Sequence, residues 1–390
     1  MPVTKLESVR LGYLPLLDSA VLLVAAKLGF AEERGLDLTL FRETSWATIR
    51  DRMGVGQFDA AHMLAPMPIA ANLGIGPLAV PMIAPMVLAL GGNAVTVSTA
   101  LAQAMADTAG EDPDGPAAAG AALKSTLGRR AQAGRSHARL AVVHRYSSHN
   151  YDLRYWLAAS GIEPDRDVEI TVVPPSLVPD ALAAGEIDGF CVGEPWSTVA
   201  VRRGVGRIVT SKAEIWRRGP EKVLGVSAAF ARDRPETLSR LIDALGQAAL
   251  WCADPAHHRA LADLLALPQH LGVPSDDLMA GITGRMEVAP GRFRAIEGFM
   301  IFAGGDANRP DRSHGRWLYR QMARWGDVRF CETGLAIAGR TFRPDLFDRA
   351  QGDSKPAPAQ DEDADEDGPS SAPHRPAGLF DAETGDPHET

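Results

Sequence analysis

The sequence predicts an α/β protein built as two lobes facing a cleft, and an internal echo predicts it most directly. From Gly35 the chain reads GLDLTLFRETSWATIRDRMGVGQFDAAHMLAPMP, and from Asp167 it reads DVEITVVPPSLVPDALAAGEIDGFCVGEPW. Each stretch is a strand-like run, a turn, an amphipathic helix and then a Gly-x-apolar-Asp-small step, with a proline ten residues after the glycine: Gly56 to Pro66 and Gly185 to Pro195. Each is therefore a β-α-β unit. The second observation is size and composition: 390 residues, 45% apolar and 23% charged, enough for two lobes with ordinary cores.

Taken in order, Val9–Leu14 reads as a strand, and Asp18 or Ser19 as the cap of a helix running through Phe30 to a stop at Gly35. Leu36–Phe41 is the next strand, Ser45 caps a helix through Met53, and Ala60–Leu64 is a third strand. Its His62-Met63 step lies near the carboxyl edge of a sheet, where open α/β sheets bind ligands. Met82–Leu90, the Gly91-Gly92 pair and Ala94–Val97 read as a crossover into the second lobe. Residues 100–138 read as Ala-rich helical pieces joined by an exposed loop at GEDPDGP, with disorder the competing reading for residues 108–118. The second lobe continues with strand Leu140–Val143, helix Tyr151–Ser160 and the repeat unit through Trp196. The chain returns near Lys212–Leu224, and residues 234–330 are largely helical in pattern. Lobe one is thus expected to be 1–92 plus 213–350, lobe two 93–212, and 351–390 an acidic tail, mostly disordered.

Charge separates body from tail. The formal charge of −9 is carried by residues 351–390, while the body balances 38 acidic against 38 basic residues. Residues 353–376, with DEDADED amid Pro and Ser, read as a solvated linker, and GLFDAETGDP at 378–387 regains apolar character and can dock back on the body. No basic stripe with interleaved aromatics appears, which argues against direct nucleic-acid binding. Cys191, Cys252 and Cys331 are widely spaced and read as buried free thiols rather than a disulfide or zinc framework. The first twenty residues show no secretory signal pattern and no apolar run is long enough to span a membrane, so a cytoplasmic location is expected.

Phosphate-loop, nucleophile-elbow, zincin and dinucleotide motifs are all missing from the sequence, and no catalytic residue, metal or cofactor is assigned. The cleft edges instead supply hydrogen-bond donors. Trp46 starts a helix in lobe one, Asn93 lies at the crossover, His149 precedes the Tyr151 helix, and Lys222 lies where the chain re-enters lobe one. Indole, carboxamide, imidazole and ammonium groups with nearby helix N-termini suit a small anion. His62 and Pro66 at the end of the first unit, and Gly193, Glu194, Pro195 and Trp196 at the end of the second, are expected to line the cleft. Glu194 with His62 is the one acid/base pair an enzyme reading has, and both residues serve equally as helix cap and core polar group.

The runs ETSWATIRD, GQFDAAHMLAPMP, DLRYWLAASG, AAGEIDGFCVGEPW and AEIWRRGPEKVLG resemble the nitrate- and bicarbonate-binding proteins of ABC uptake transporters, over roughly residues 8–350. The resemblance implies a type II periplasmic-binding-protein architecture and places Trp46, His149 and Lys222 at positions that hold nitrate. A glutamine is usual in that family where this chain has Asn93. Bicarbonate binders carry an acidic residue in place of the lysine, so nitrate or nitrite is the expected ligand. With no export signal in view, the chain is similar to the NasS-type cytosolic nitrate sensors. That likeness implies a NasT-type RNA-binding antiterminator with a receiver-like domain as partner, released when the anion binds, with neither membrane nor nucleic acid contacted directly. A substrate-binding component of a nitrate transporter is the alternative.

Overall fold

A computed structural model describes residues 6–77, 80–110, 112–113, 115–352 and 378–380. Fourteen strands are present among them: β1 Glu7–Tyr13, β2 Leu36–Arg42, β3 Ala60–Leu64, β4 Met82–Ile83, β5 Val87–Gly91, β6 Asn93–Ser98, β7 Ala138–Val142, β8 Val168–Val172, β9 Gly189–Gly193, β10 Gly206–Ser211, β11 Pro220–Ser227, β12 Arg285–Ala289, β13 Arg292–Ala295 and β14 Met300–Ile301. They form two mixed sheets and a hairpin. The first sheet runs β14-β5-β11-β3-β1-β2 with β4 beside β11, and the second runs β10-β6-β9-β7-β8. The two-lobed α/β architecture expected from the sequence is the one observed.

The echo goes deeper than the two repeat units. In each sheet two parallel neighbours flank a central strand, β2 and β3 on β1, β8 and β9 on β7. An antiparallel strand then closes on the unit's last strand, β11 on β3 and β6 on β9. The aspartate after each glycine explains why the motif recurs. Asp59 accepts from the backbone N–H of Arg10 (2.8 Å) and from its guanidinium (3.0 Å), while that guanidinium also donates to Gly56 O (3.1 Å). Asp188 accepts from Arg139 N–H (2.8 Å), and Arg139 donates to Gly185 O (2.8 Å). Each lock ties the turn before the last strand to the start of the central one.

The chain passes from the first sheet to the second at Gly91 and Gly92, with φ of 73° and 87°. A Cβ on Gly91 would come within 2.3 Å of Phe299 O, so the crossing needs glycine for both conformation and space. Glu194 stitches the same crossing, donating its N–H to Gly92 O (2.9 Å) and accepting from Leu17 N–H (2.8 Å).

Several local expectations change. Leu17–Ser19 is a 3-10 turn and the helix that follows is Ala20–Lys27, short of Phe30; Ser19 holds its N-cap position but donates its hydroxyl to Leu16 O (2.7 Å) rather than capping with its side chain, and Asp18 is buried. His149 lies inside helix Ser148–Ala159 rather than before it, because Ser147 is the cap and accepts from Asn150 N–H. Residues 234–330 contain the β12–β13 hairpin and β14 besides their helices. Cys191 and Cys252 are buried, but Cys331 is exposed, its sulfur accepting from Gly334 N–H at the start of helix Glu332–Thr341. Residues 353–376 lie outside the described residues. Gly378–Phe380 does dock: Leu379 bridges to Trp216 and is buried, with Arg217 N–H donating to Gly378 O and Phe380 N–H to Ile215 O.

Candidate functional site

Where the two sheets meet, polar side chains from both lobes are sealed from solvent. Lobe one supplies Asp18, Trp46, His62, Glu221 and Lys222; Asn93, His149, Asp152 and Lys212 come from the other side; all are at most 1% exposed. Burying so much charge is favourable only when it is paired, and the pairing here is dense.

The carboxylate of Glu221 is its centre. Oε1 lies 2.9 Å from Lys222 Nζ and 3.3 Å from His149 Nε2, and Oε2 accepts from Asn93 Nδ2 (2.5 Å) and lies 3.3 Å from Lys212 Nζ. Lys222 Nζ also donates to Asp18 Oδ2 (2.8 Å), and Lys212 Nζ donates to Asp152 Oδ2. Neighbours on a strand ordinarily point to opposite faces. Glu221 and Lys222 both reach inward because the β11–β5 register slips on either side of Lys222, a bulge that re-aims its side chains.

Around this centre, the Trp46 ring lies 5.5 Å from Lys222 Nζ and 5.3 Å from the His62 ring. His62 Nδ1 accepts from Leu14 N–H (3.4 Å), which leaves the proton on Nε2, 2.9 Å from Asp18 Oδ1. The Trp46 indole N–H and both ring nitrogens of His149 have no hydrogen-bond partner.

Burial drives the titration of these groups. It pushes the His149 imidazole down to about 3 and lowers His62, so both rings are neutral near pH 7. Asp152 is pushed up to about 6 by burial despite Lys212. For Glu221 burial acts upward, but the ammonium groups of Lys222 and Lys212 outweigh it and hold the carboxylate well below its usual range. Burial likewise opposes the charge of Lys222 and Lys212, yet the facing carboxylates leave both ammonium groups more basic than usual. Two lysines thus face three carboxylates.

The expected residues sort accordingly. Trp46, Asn93, His149, Lys222 and His62 come together in the cluster. Gly193 faces it, since a Cβ there would lie 3.2 Å from Asn93 Oδ1. Glu194 is buried but does not pair with His62: its Oε2 accepts from Thr198 N–H (3.3 Å), the helix-cap alternative, and burial pushes its carboxyl up to about 7. Pro66 and Trp196 open the helices Pro66–Asn72 and Trp196–Arg202, Pro195 caps the second, and none of their side chains makes a polar contact with the cluster. Lys222 is ion-paired with both Asp18 and Glu221. Sequence reasoning missed Asp18, Asp152, Lys212 and Glu221. Only Asp152 had a signal, three residues after His149 and hence on the same helix face.

A family model described as "NMT1-like family" matches residues 4–266, well over half the chain. The chain belongs to the NMT1-like family. This NMT1-like chain is 37% identical over 345 residues to the nitrate import ATP-binding protein NrtC of Synechocystis, a match covering 87% of the chain and 49% of NrtC. It is 36% identical to the bicarbonate transport ATP-binding protein CmpC of Synechococcus elongatus, covering 88% of the chain and 50% of CmpC. The chain therefore spans about half the length of these curated relatives. Among solved structures, the periplasmic nitrate-binding protein NrtA from Synechocystis PCC 6803 superposes with a TM-score of 0.82 at 26% identity, covering 90% of each chain.

Proposed function

We propose that this chain is a receptor for a small planar oxoanion, nitrate or nitrite, held between its lobes. One observation carries the reading: Asn93, His149 and Lys222 converge from both sides of the lobe junction on a single carboxylate, that of Glu221, so the site is already shaped around a planar group with charge-bearing oxygens. The NrtA-like fold and the nitrate-transport names among the relatives support the anion's identity. Bicarbonate is the competitor, since CmpC is as similar as NrtC and the site offers acceptors beside Lys222. Calorimetry with nitrate, nitrite and bicarbonate tests this. Micromolar binding of nitrate or nitrite and none of bicarbonate supports it, and the reverse order overturns it.

The chain's role is that of a cytosolic sensor that holds a NasT-type antiterminator while unliganded. An anion that bridges two lobes favours their closed state, and a partner that prefers the open state is released. Co-purification with and without nitrate tests that step: dissociation by nitrate supports it, and a complex that persists or tightens overturns it. A permease component predicts the opposite coupling, and the half-length match to transport ATP-binding proteins favours that as the second reading.

A further inference from the structure

The groups assigned to the anion are already engaged by a carboxylate of the chain itself. Glu221 sits on β11 in lobe one, while Asn93 begins β6, His149 lies in the first turn of helix Ser148–Ala159 and Lys212 opens helix Lys212–Ile215. Glu221 accepts from Asn93 and from Lys222 and lies 3.3 Å from both His149 Nε2 and Lys212 Nζ, with no exposure to solvent. A carboxylate is planar and spreads one negative charge over its oxygens, and so does nitrate. The same donors can address either group.

We propose that Glu221 is a tethered anion: it fills the oxoanion subsite of the unliganded protein and is displaced when an external planar oxoanion takes over Asn93, His149 and Lys222. The inference rests on the anion reading of the site. Electrostatics require the displacement. Both histidines are neutral near pH 7 because burial disfavours their charge. The cluster's charges are then Lys212 and Lys222 against Asp18, Asp152 and Glu221, a net −1 that repels an incoming anion. With Glu221 swung out of the subsite, the two lysines balance the remaining two carboxylates, and Asn93, His149 and Lys222 are free to donate. Affinity for the external anion is then set by competition with the internal one.

Glu221→Gln keeps the shape and removes the charge, and Glu221→Ala removes the competitor outright. By calorimetry on the full chain, either variant is expected to bind nitrate at least tenfold more tightly than the parent. Sodium formate, a free carboxylate, is expected to raise the melting temperature of Glu221→Ala and leave that of the parent unchanged. A folded Glu221→Gln protein that binds nitrate no better than a nitrate-binding parent overturns the tethered anion and leaves the nitrate receptor standing. Formate rescue of Glu221→Ala in a protein that binds no nitrate keeps the tethered anion and removes nitrate as the ligand. Without nitrate binding or formate rescue, both fall. Should Glu221→Ala not fold in plain buffer, recovery of folded protein on adding formate is the same test.

Discussion

Lys222 and Asp18, 204 residues apart in sequence, form a buried ion pair with Nζ 2.8 Å from Oδ2. Lys222 therefore holds the first lobe's face of the junction together before any ligand arrives. Replacing it leaves Asp18 without an ammonium partner and Glu221 with Lys212 alone in a dry site, and Lys222→Glu adds a third negative charge beside them. Breaking one partner out of a buried pair costs about 3–5 kcal/mol, and the glutamate should cost more than Lys222→Met. Urea unfolding without nitrate checks this: equal midpoints for parent and Lys222→Glu would show that the pair contributes nothing.

Glu194 should make stability depend on pH. Burial raises its carboxyl from 4.5 to about 7, so the folded state prefers it protonated. The stabilisation is full below the unfolded value and is lost as pH rises through about 7, up to roughly 3 kcal/mol. His149, pushed down to about 3, acts with the opposite sign: it is neutral when folded, and its contribution is lost as pH falls below its usual 6.5. Melting temperatures between about pH 5 and pH 8 should fall on the alkaline side in the parent and flatten there in Glu194→Gln. A Glu194→Gln curve parallel to the parent's would remove Glu194 as the cause.

The fold was legible in the sequence because local pattern and global topology agree in it. Gly56-x-Phe58-Asp59 and Gly185-x-Ile187-Asp188 recur because in each unit an arginine on the central strand gives its backbone N–H to the aspartate and its guanidinium to the glycine carbonyl. The site was only partly legible. Trp46, His149 and Lys222 were reachable through the family resemblance, but pairing is a tertiary property. Asp18 reads locally as a helix cap, and Glu221 as the outward neighbour of Lys222. Only the antiparallel return of β11 beside β3 and the bulge in its β5 register turn Glu221 inward.

The two locks are predicted to be independent. Asp59 receives a backbone N–H and the guanidinium of Arg10, and Asp188 the backbone N–H of Arg139 and the guanidinium of Arg130 (3.2 Å). Each aspartate is partly exposed, so truncation to alanine should cost about 1–3 kcal/mol. The locks sit in different sheets, so Asp59→Ala and Asp188→Ala should add to within about 0.5 kcal/mol in urea unfolding. A large non-additive term in the double variant would mean that the lobes unfold as one coupled unit through these turns.

The segment Gly378–Phe380 is anchored on the back of the site. Leu379 is 4% exposed and bridges to Trp216, whose ring lies 5.4 Å from Lys212 Nζ and 4.3 Å from the Trp317 ring. Lys212 is itself within the buried cluster, so docking Gly378–Phe380 supports the wall that positions it. A buried leucine contributes about 1.5–3 kcal/mol, but a short docked segment can peel away, and its loss cannot cost more than the docking itself provides. Leu379→Ala and deletion of residues 353–390 should therefore lower stability by the same amount, about 1–2 kcal/mol. Both should weaken anion binding only slightly, because Lys212 keeps Asp152 and Glu221 as partners. Thermal melts and calorimetry of the two variants decide it. A deletion that melts like the parent would show that Leu379 adds no stability, and one that abolishes anion binding would show that the docked segment contributes to the site itself.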